Sequence, residues 1–468
     1  MIKKLLAEVL IWVCVFGNTV FAQKENYVWY FGDSAGVDFN LGSPVALTNS
    51  AIYQEEGCSS ISDSAGNILF YTNGISIWDR NHNQMPNGYS LQGGWSSTQS
   101  ALIVPFPGNT LQYYVFTVQE DFTPPFNFSY SIVDLSLNGG NGDVTIKNNI
   151  IKSHIAEKLT AVKHSNGSDI WVLVHGFGND SLFAYLITAS GIATTPVYSK
   201  VGQTILYTSN NAIGYMKFSS DGSKVAFANA LLNYVDLFDF NSTSGIVTNE
   251  KYLNLPQTGS LGAYGLEFSR SGNYLYCSDV LGFHIFQWDI SSNIASTINA
   301  TLQQVGSSPS QGVGALQMAP DGKIYVAEYM TNFLGVISSP DSSGLSCNYI
   351  YNAISLSGKT CHFGLPNFIT SYFLPTGIKT NIPQQNQLII SPNPATDKIT
   401  ISFAATTDEN VTIKIYSITG EVVFAEENKT GNNNFNKTID VTGLSNGIYF
   451  LSVQTGREVI TKKIVVNR

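Results

Sequence analysis

Seven polar side chains carry the chemistry this chain could do on a ligand: Asn73, Gln119, Glu120, His175, Asn229, Asp279 and Glu328. All but Glu120 stand where an apolar run ends, as Asn229 does after Lys224-Val225-Ala226-Phe227-Ala228, and Glu120 follows directly on Gln119. Two carboxylates about 5 to 9 Å apart, flanked by aromatic rings, would hydrolyse a glycosidic bond. Asp279 and Glu328 occupy equivalent positions in neighbouring copies of one pattern and are the pair to examine for it. Without such a pair, the same amides, imidazole and acids hydrogen-bond a bound ligand or solvate loop ends.

Other chemistries find no support in the spacing. The six histidines (His82, His154, His164, His175, His284, His362) never fall at metal-ligand intervals, and no cysteine pair completes a zinc set. Asp221-Gly222, Asp321-Gly322 and Asp63 to Gly66 lack the alternating acids and distal Glu of a calcium loop and read as β-turns. No Gly-x-Ser-x-Gly and no phosphate loop occurs, so neither metal nor cofactor is expected. Asp79-Arg80-Asn81-His82 could serve acid/base work but, following Trp78 at a strand end, is expected to fasten a turn. Cys347 and Cys361 bracket a short hairpin-like segment and could close it with a disulfide, whereas Cys58 and Cys277 read as buried thiols.

The elements that must position these residues form a repeat, clearest from Met216 to Asn241: apolar strand, polar turn, second strand, break, third strand. Leu266 to Ser291 and Leu316 to Asp341 copy it closely, Ala161 to Ile187 more loosely, and Ile61 to Asn81 and Ile103 to Ser136 keep its order. Turn glycines mark each copy, at Gly66, Gly108, Gly167, Gly222, Gly272 and Gly322. A four-stranded unit recurring every 50 residues or so is a β-propeller blade. Asn26 to Thr48 resembles the later strands of a unit, and Gly364 to Phe373 an inner strand alone, so the two chain ends are expected to join as one blade. The expectation is therefore seven blades, with six as the alternative. In an up-and-down blade the second strand ends beside the link to the next unit, which would bring the candidate residues to one mouth of the central channel. The insert Gln119 to Asn127 would cap the same end.

Composition agrees: 12% aromatic residues, 41 glycines and only 12% charged residues in 468 describe a β-rich chain with ample core. A net charge of −9 without a basic cluster argues against nucleic acid. Residues 1–22, with Lys3 and Lys4 before an apolar run and Val20-Phe21-Ala22 at its exit, read as a signal peptide. Residues 26–374 form the propeller, 375–387 a Pro, Asn and Gln-rich linker, and 388–468 a small antiparallel β-sandwich of immunoglobulin-like kind, so the whole chain is all-β.

The last unit carries four ordered motifs: Ser391-Pro392-Asn393-Pro394, Ile415 to Gly420, Leu444 to Tyr449 including Gly447, and Lys462-Lys463-Ile464-Val465-Val466. These resemble the type A C-terminal sorting domain of the type IX secretion system. The resemblance implies a Bacteroidetes-type exported protein, a partnership with the type IX machinery, and release or attachment to surface lipopolysaccharide outside the outer membrane. Trp29 to Phe39, Glu56-Gly57-Cys58, Trp78 to Asn81 and Gly364 to Phe368 resemble a group of exported propellers of the same bacteria, which implies a location and no activity. The function expected is a secreted or cell-surface binding scaffold for a glycan or protein. The alternative is a secreted hydrolase of polysaccharide or protein.

Overall fold

The computed structural model describes residues 23–208, 211–256, 259, 261–309, 312–374, 388–405, 410–429, 433–454 and 459–467. The expected signal peptide (1–22) and linker (375–387) lie outside them. The chain divides into two compact units, Met1–Pro375 and Thr376–Arg468. Both are built of antiparallel sheets, and among the described residues the one α-helix is the short Ala295–Asn299.

Among the described residues the larger unit holds seven sheets in chain order. The first comprises Val28–Phe31, Ala35–Asp38 and Val45–Leu47, and the second Ser59–Ser62, Ile68–Thr72 and Ile77–Asp79. The third runs Ala101–Pro105, Gln112–Val118, Phe128–Asp134, Asp143–Lys152, and the fourth Ile155–Lys163, Ile170–Gly176, Asn179–Thr188, Val197–Ile205, with the two-residue strand Gly191–Ile192 beside its third strand. The fifth is Met216–Phe218, Lys224–Asn229, Tyr234–Asn241, Ile246–Asn254. Ala263–Phe268, Tyr274–Asp279, His284–Asp289 and Gln303–Ser307 make the sixth, and Val313–Met318, Ile324–Glu328, Phe333–Ile337 and Tyr349–Ser355 the seventh. Successive strands pair antiparallel, and the six turn glycines, each between the first and second strands of its sheet, all sit at positive φ, where a side chain would be strained.

Burial grades outward. The leading strands of sheets two to seven are buried almost throughout, whereas Ile246–Asn254 alternates exposed and buried residues as a sheet edge facing water does. Leading strands of consecutive sheets pack side by side, and apolar clusters fill the space between sheets. The series closes on itself, because Trp29 of the first sheet lies 5.6 Å edge-on from Tyr325 of the seventh. The whole is propeller-like.

The closing segment departs from expectation. Gly364 to Phe373 lies against the first sheet, with the Phe368 ring 5.9 Å from Trp29, yet it is not a strand of that sheet. Its bridges run parallel, Pro366 to Cys58 and Ile369 to Ala161, so it threads down the middle among the leading strands. Two residues explain why no ladder forms. Pro366 has no N–H to donate, and Gly364 sits so close to Glu56 that a Cβ would fall 1.4 Å from its carbonyl oxygen. Asn367 fixes the segment through Nδ2 to Ala101 O (3.1 Å) and its own N–H to Cys58 O (2.8 Å).

The second unit has two sheets over one aliphatic core of Ile399, Ile401, Val411, Ile413, Leu451 and Ile464. One orders Ile389–Ser391, Lys398–Ala405, Asn433–Asp440, the other Val422–Lys429, Asn410–Ser417, Gly447–Gln454, Val459–Val466.

Candidate functional site

The ends of the second strands and the links between sheets meet at one end of the ring, opposite the turn glycines. Each expected residue is found there, and four of the seven are buried. Asn73 Oδ1 accepts Ile75 and Ser76 N–H while its Nδ2 donates to Tyr53 O (3.0 Å). Gln119 Oε1 accepts Asn127 N–H (2.6 Å), which closes the insert, and Glu120 accepts Ser96 N–H and the Thr123 hydroxyl. Asn229 Oδ1 accepts Leu232 N–H, and Asp279 Oδ1 accepts Gly282 N–H (3.0 Å) with His284 Nδ1 3.8 Å from its other oxygen. Burial raises the Asp279 carboxyl above the usual range. Glu328 takes the Ser308 hydroxyl on one oxygen and the Tyr349 hydroxyl on the other. His175 is fully enclosed, with Nδ1 2.8 Å from Gly176 O; burial pushes its pKa down to about 3, so the ring is neutral. These side chains bind turns and neighbouring strands, each within its own sheet or the adjacent link. Asp79, too, fastens its turn through Asn81 and Asn83 N–H.

The disulfide expected between Cys347 and Cys361 is not made. All four described cysteines are free and buried. Cys347 ends a 3-10 turn with its thiol beside Tyr276, whereas Cys361 bridges Thr331 and neighbours Cys58.

At the centre of the mouth a group of residues outside the expected set comes together. Tyr329 donates its hydroxyl to Glu55 Oε1 (2.8 Å), and His362 Nδ1 lies 2.8 Å from Glu55 Oε2. The Tyr329 ring stacks on Phe363 at 3.8 Å, and Tyr53 packs edge-on against His362. Burial alone would raise Glu55, but His362 and the Tyr329 hydroxyl outweigh it and hold the carboxyl below its ordinary range. Next in sequence, Glu56 is raised by burial and then by the Glu157 carboxylate, and its Oε2 finds no hydrogen-bond partner among the described residues. Burial likewise pushes Glu157 up to about 7, although it accepts Thr98 N–H and hydroxyl and Asp121 N–H, each at 2.8 Å. A carboxyl held below its ordinary range thus adjoins two that burial raises above theirs.

Below this group the axis is filled, not open. Lys158 Nζ donates to the carbonyls of Ile213, Gly214 and Ala228, and burial lowers its pKa to about 7. Lys217 pairs with Glu267 (3.6 Å) and donates to Gln317, joining the leading strands of sheets five, six and seven. Gln99 accepts Leu159 and Met216 N–H while donating to Met216 O, tying the link before sheet three to sheets four and five. Sequence reasoning passed over these groups, yet a signal existed. Lys217, Glu267 and Gln317 each stand between two apolar residues at the same place in consecutive repeats, and Glu55-Glu56 is an acidic pair inside an interblade link.

Around this centre the mouth presents exposed rings from separate links and turns: Tyr53, Trp95, Phe122, Tyr207 and Phe283. Phe122 is 65% exposed at the tip of the insert, and Tyr207 is held by Phe126 and Phe177 at about 5 Å.

In the second unit the motifs interlock. Asn393 Oδ1 accepts Val465 N–H (2.8 Å) and its Nδ2 donates to Lys463 O (3.0 Å), clipping the last strand. Ala395, just past Pro392 and Pro394, bridges Val466. Gly420 turns the chain at Ser417–Glu421, Tyr449 donates its hydroxyl to Ser445 O, and Lys463 is exposed beside half-buried Lys462.

Comparison with known proteins agrees with that arrangement: residues 390–467 match the family described as a secretion system C-terminal sorting domain. The C-terminal unit is a type IX sorting domain, as its motifs imply, and it marks the chain as a secreted or cell-surface protein. No curated protein matches the chain. Solved structures similar to it include one assigned as a 6-phosphogluconolactonase from Bacteroides uniformis (15% identity, 71% of this chain, 98% of that chain, TM-score 0.46). Another is a quinonprotein alcohol dehydrogenase-like protein from Bacteroides thetaiotaomicron (14% identity, 73% of this chain, 77% of that chain, TM-score 0.40). At such values they say nothing of what this chain does.

Proposed function

We propose that the larger unit is a seven-bladed propeller, one blade per sheet, whose mouth holds a glycan or protein ligand without transforming it. The sorting domain, read as an immunoglobulin-like sandwich, delivers it through the type IX system to the cell surface, on lipopolysaccharide, or to the medium. One observation carries the reading: the large rings Tyr53, Trp95, Phe122, Tyr207 and Phe283 stand exposed on separate links and turns of the ring. Flat rings stack on the apolar faces of sugars and anchor protein surfaces alike. The net charge of −9 favours an uncharged glycan among these ligands. Asn73, Gln119, Glu120, His175, Asn229, Asp279 and Glu328 support the face by locking its turns.

The hydrolase alternative has one observation in its favour, the adjacency of Glu55, held below the ordinary carboxyl range, and Glu56, raised above it by burial. A single experiment separates the two: the purified protein is passed over immobilised neutral polysaccharides, and both retention and new products are measured. Retention lost in Trp95→Ala and Phe122→Ala, without products, is the expected result. Products abolished by Glu55→Gln would replace the binding reading with the hydrolase. Retention unchanged by either ring substitution would remove the mouth from the account.

A further inference from the structure

At the opposite end of the ring, between the second and third sheets, lies a pocket of about 700 Å³, a size that suits a small molecule. Its walls are mostly apolar, with Leu69, Pro105, Phe106, Pro107 and Leu111 among them, and Tyr372 of the closing segment forms part of them. Two polar groups in this lining keep hydrogen-bonding capacity, although Lys163 attracts the Glu25 carboxyl and Arg80 lies near Tyr113. Glu25 Oε2 is buried with no hydrogen bond, and Arg80 forms no ion pair or hydrogen bond with a described residue. Asp63, also in the lining, is spent on its own turn, accepting Ala65 and Asn67 N–H.

We infer that this pocket is a second ligand site, separate from the mouth, for a single-ring hydroxylated aromatic carboxylic acid. The guanidinium of Arg80 is a planar fork that fits a carboxylate. The acids Glu25 and Asp63 in the same lining disfavour a doubly charged phosphate. Phe106 and the prolines offer apolar walls against which a flat ring packs. Glu25 Oε2 is the acceptor for one ring hydroxyl.

Calorimetric titration of the full chain tests the assignment with 4-hydroxycinnamate as probe. Cinnamate lacks the hydroxyl, 4-hydroxycinnamyl alcohol lacks the carboxylate, and glucuronate lacks the ring. The expected result is that 4-hydroxycinnamate binds most tightly. Arg80→Gln, an exposed position, weakens it about ten-fold while leaving the alcohol unchanged. Glu25→Gln narrows the gap between 4-hydroxycinnamate and cinnamate, with melting curves confirming that both variants fold. Phe122→Ala at the mouth changes none of these values. Absence of binding, equal binding of acid and alcohol to the parent protein, or preference for glucuronate would overturn the inference.

Discussion

The two units are both antiparallel β-structure, yet their interiors differ in kind. The sorting domain buries Ile, Val, Leu and Phe over two sheets, and its polar side chains can face water. The ring buries Glu157, Lys158, Lys217 and Glu267 deep among its leading strands. The difference follows from geometry. A two-sheet packing covers one face of each sheet, so period-two alternation sends every second residue to solvent. In the ring the leading strands crowd about an axis, so their polar face is enclosed as well and its charges must find partners inside. The lesson is that alternation reports two faces but not whether the second is wet.

The contrast should be easiest to break at Lys217. Lys217→Met leaves Glu267 buried without its cation, and about 3 to 5 kcal/mol of ring stability should be lost. Adding Glu267→Leu should restore most of it. A single variant that melts like the parent would show that the pair is idle.

Titration comes next in size. Glu157, raised by burial to about 7, binds its proton more tightly folded than unfolded. This term should therefore cost the ring up to about 3 kcal/mol as pH climbs from about 4.5 to 7, whereas buried His175, its pKa pushed down to about 3, acts with the opposite sign over the lower part of that range. Asp236, also raised by burial to about 7, adds the same sign as Glu157. Urea unfolding should show Glu157→Gln losing less stability, or gaining more, than the parent as pH climbs across this range; a profile identical to the parent's would discard the assignment. The smallest effect belongs to the other unit. Asn393→Ala removes two hydrogen bonds on the last strand, about 1 to 2 kcal/mol. Hydrogen exchange at the Val465 amide should quicken while that of ring amides such as Leu159 stays unchanged. Quickening at both would mean that the two units do not melt separately.

Much of this was legible in the chain. The turn glycines from Gly66 to Gly322 recur because each hairpin needs a left-handed residue, and local patterns of that kind reveal repeats. The sorting motifs were legible because Asn393, Gly420 and Tyr449 each perform a local backbone task. The closing segment was not, since its parallel bridges to Cys58 and Ala161 join residues far apart in sequence. Position after a second strand places Asp279 and Glu328 at the mouth, and only packing decides that their oxygens serve turns and tyrosines. Glu55, Glu56 and Glu157 lie in or beside links and were overlooked because links vary between repeats. The spacing of Cys347 and Cys361 allowed a bridge that their separate environments, beside Tyr276 and Cys58, do not make.

The central claim is that one unit works and the other addresses it. Deleting Leu388 to Arg468 in a host that has the type IX system tests this most directly, by following where the ring collects and how it melts. The account predicts a folded ring trapped in the periplasm, with the parent's melting behaviour and the parent's retention on immobilised polysaccharide. Normal arrival of the truncated protein at the surface, or a ring that no longer folds, would contradict it.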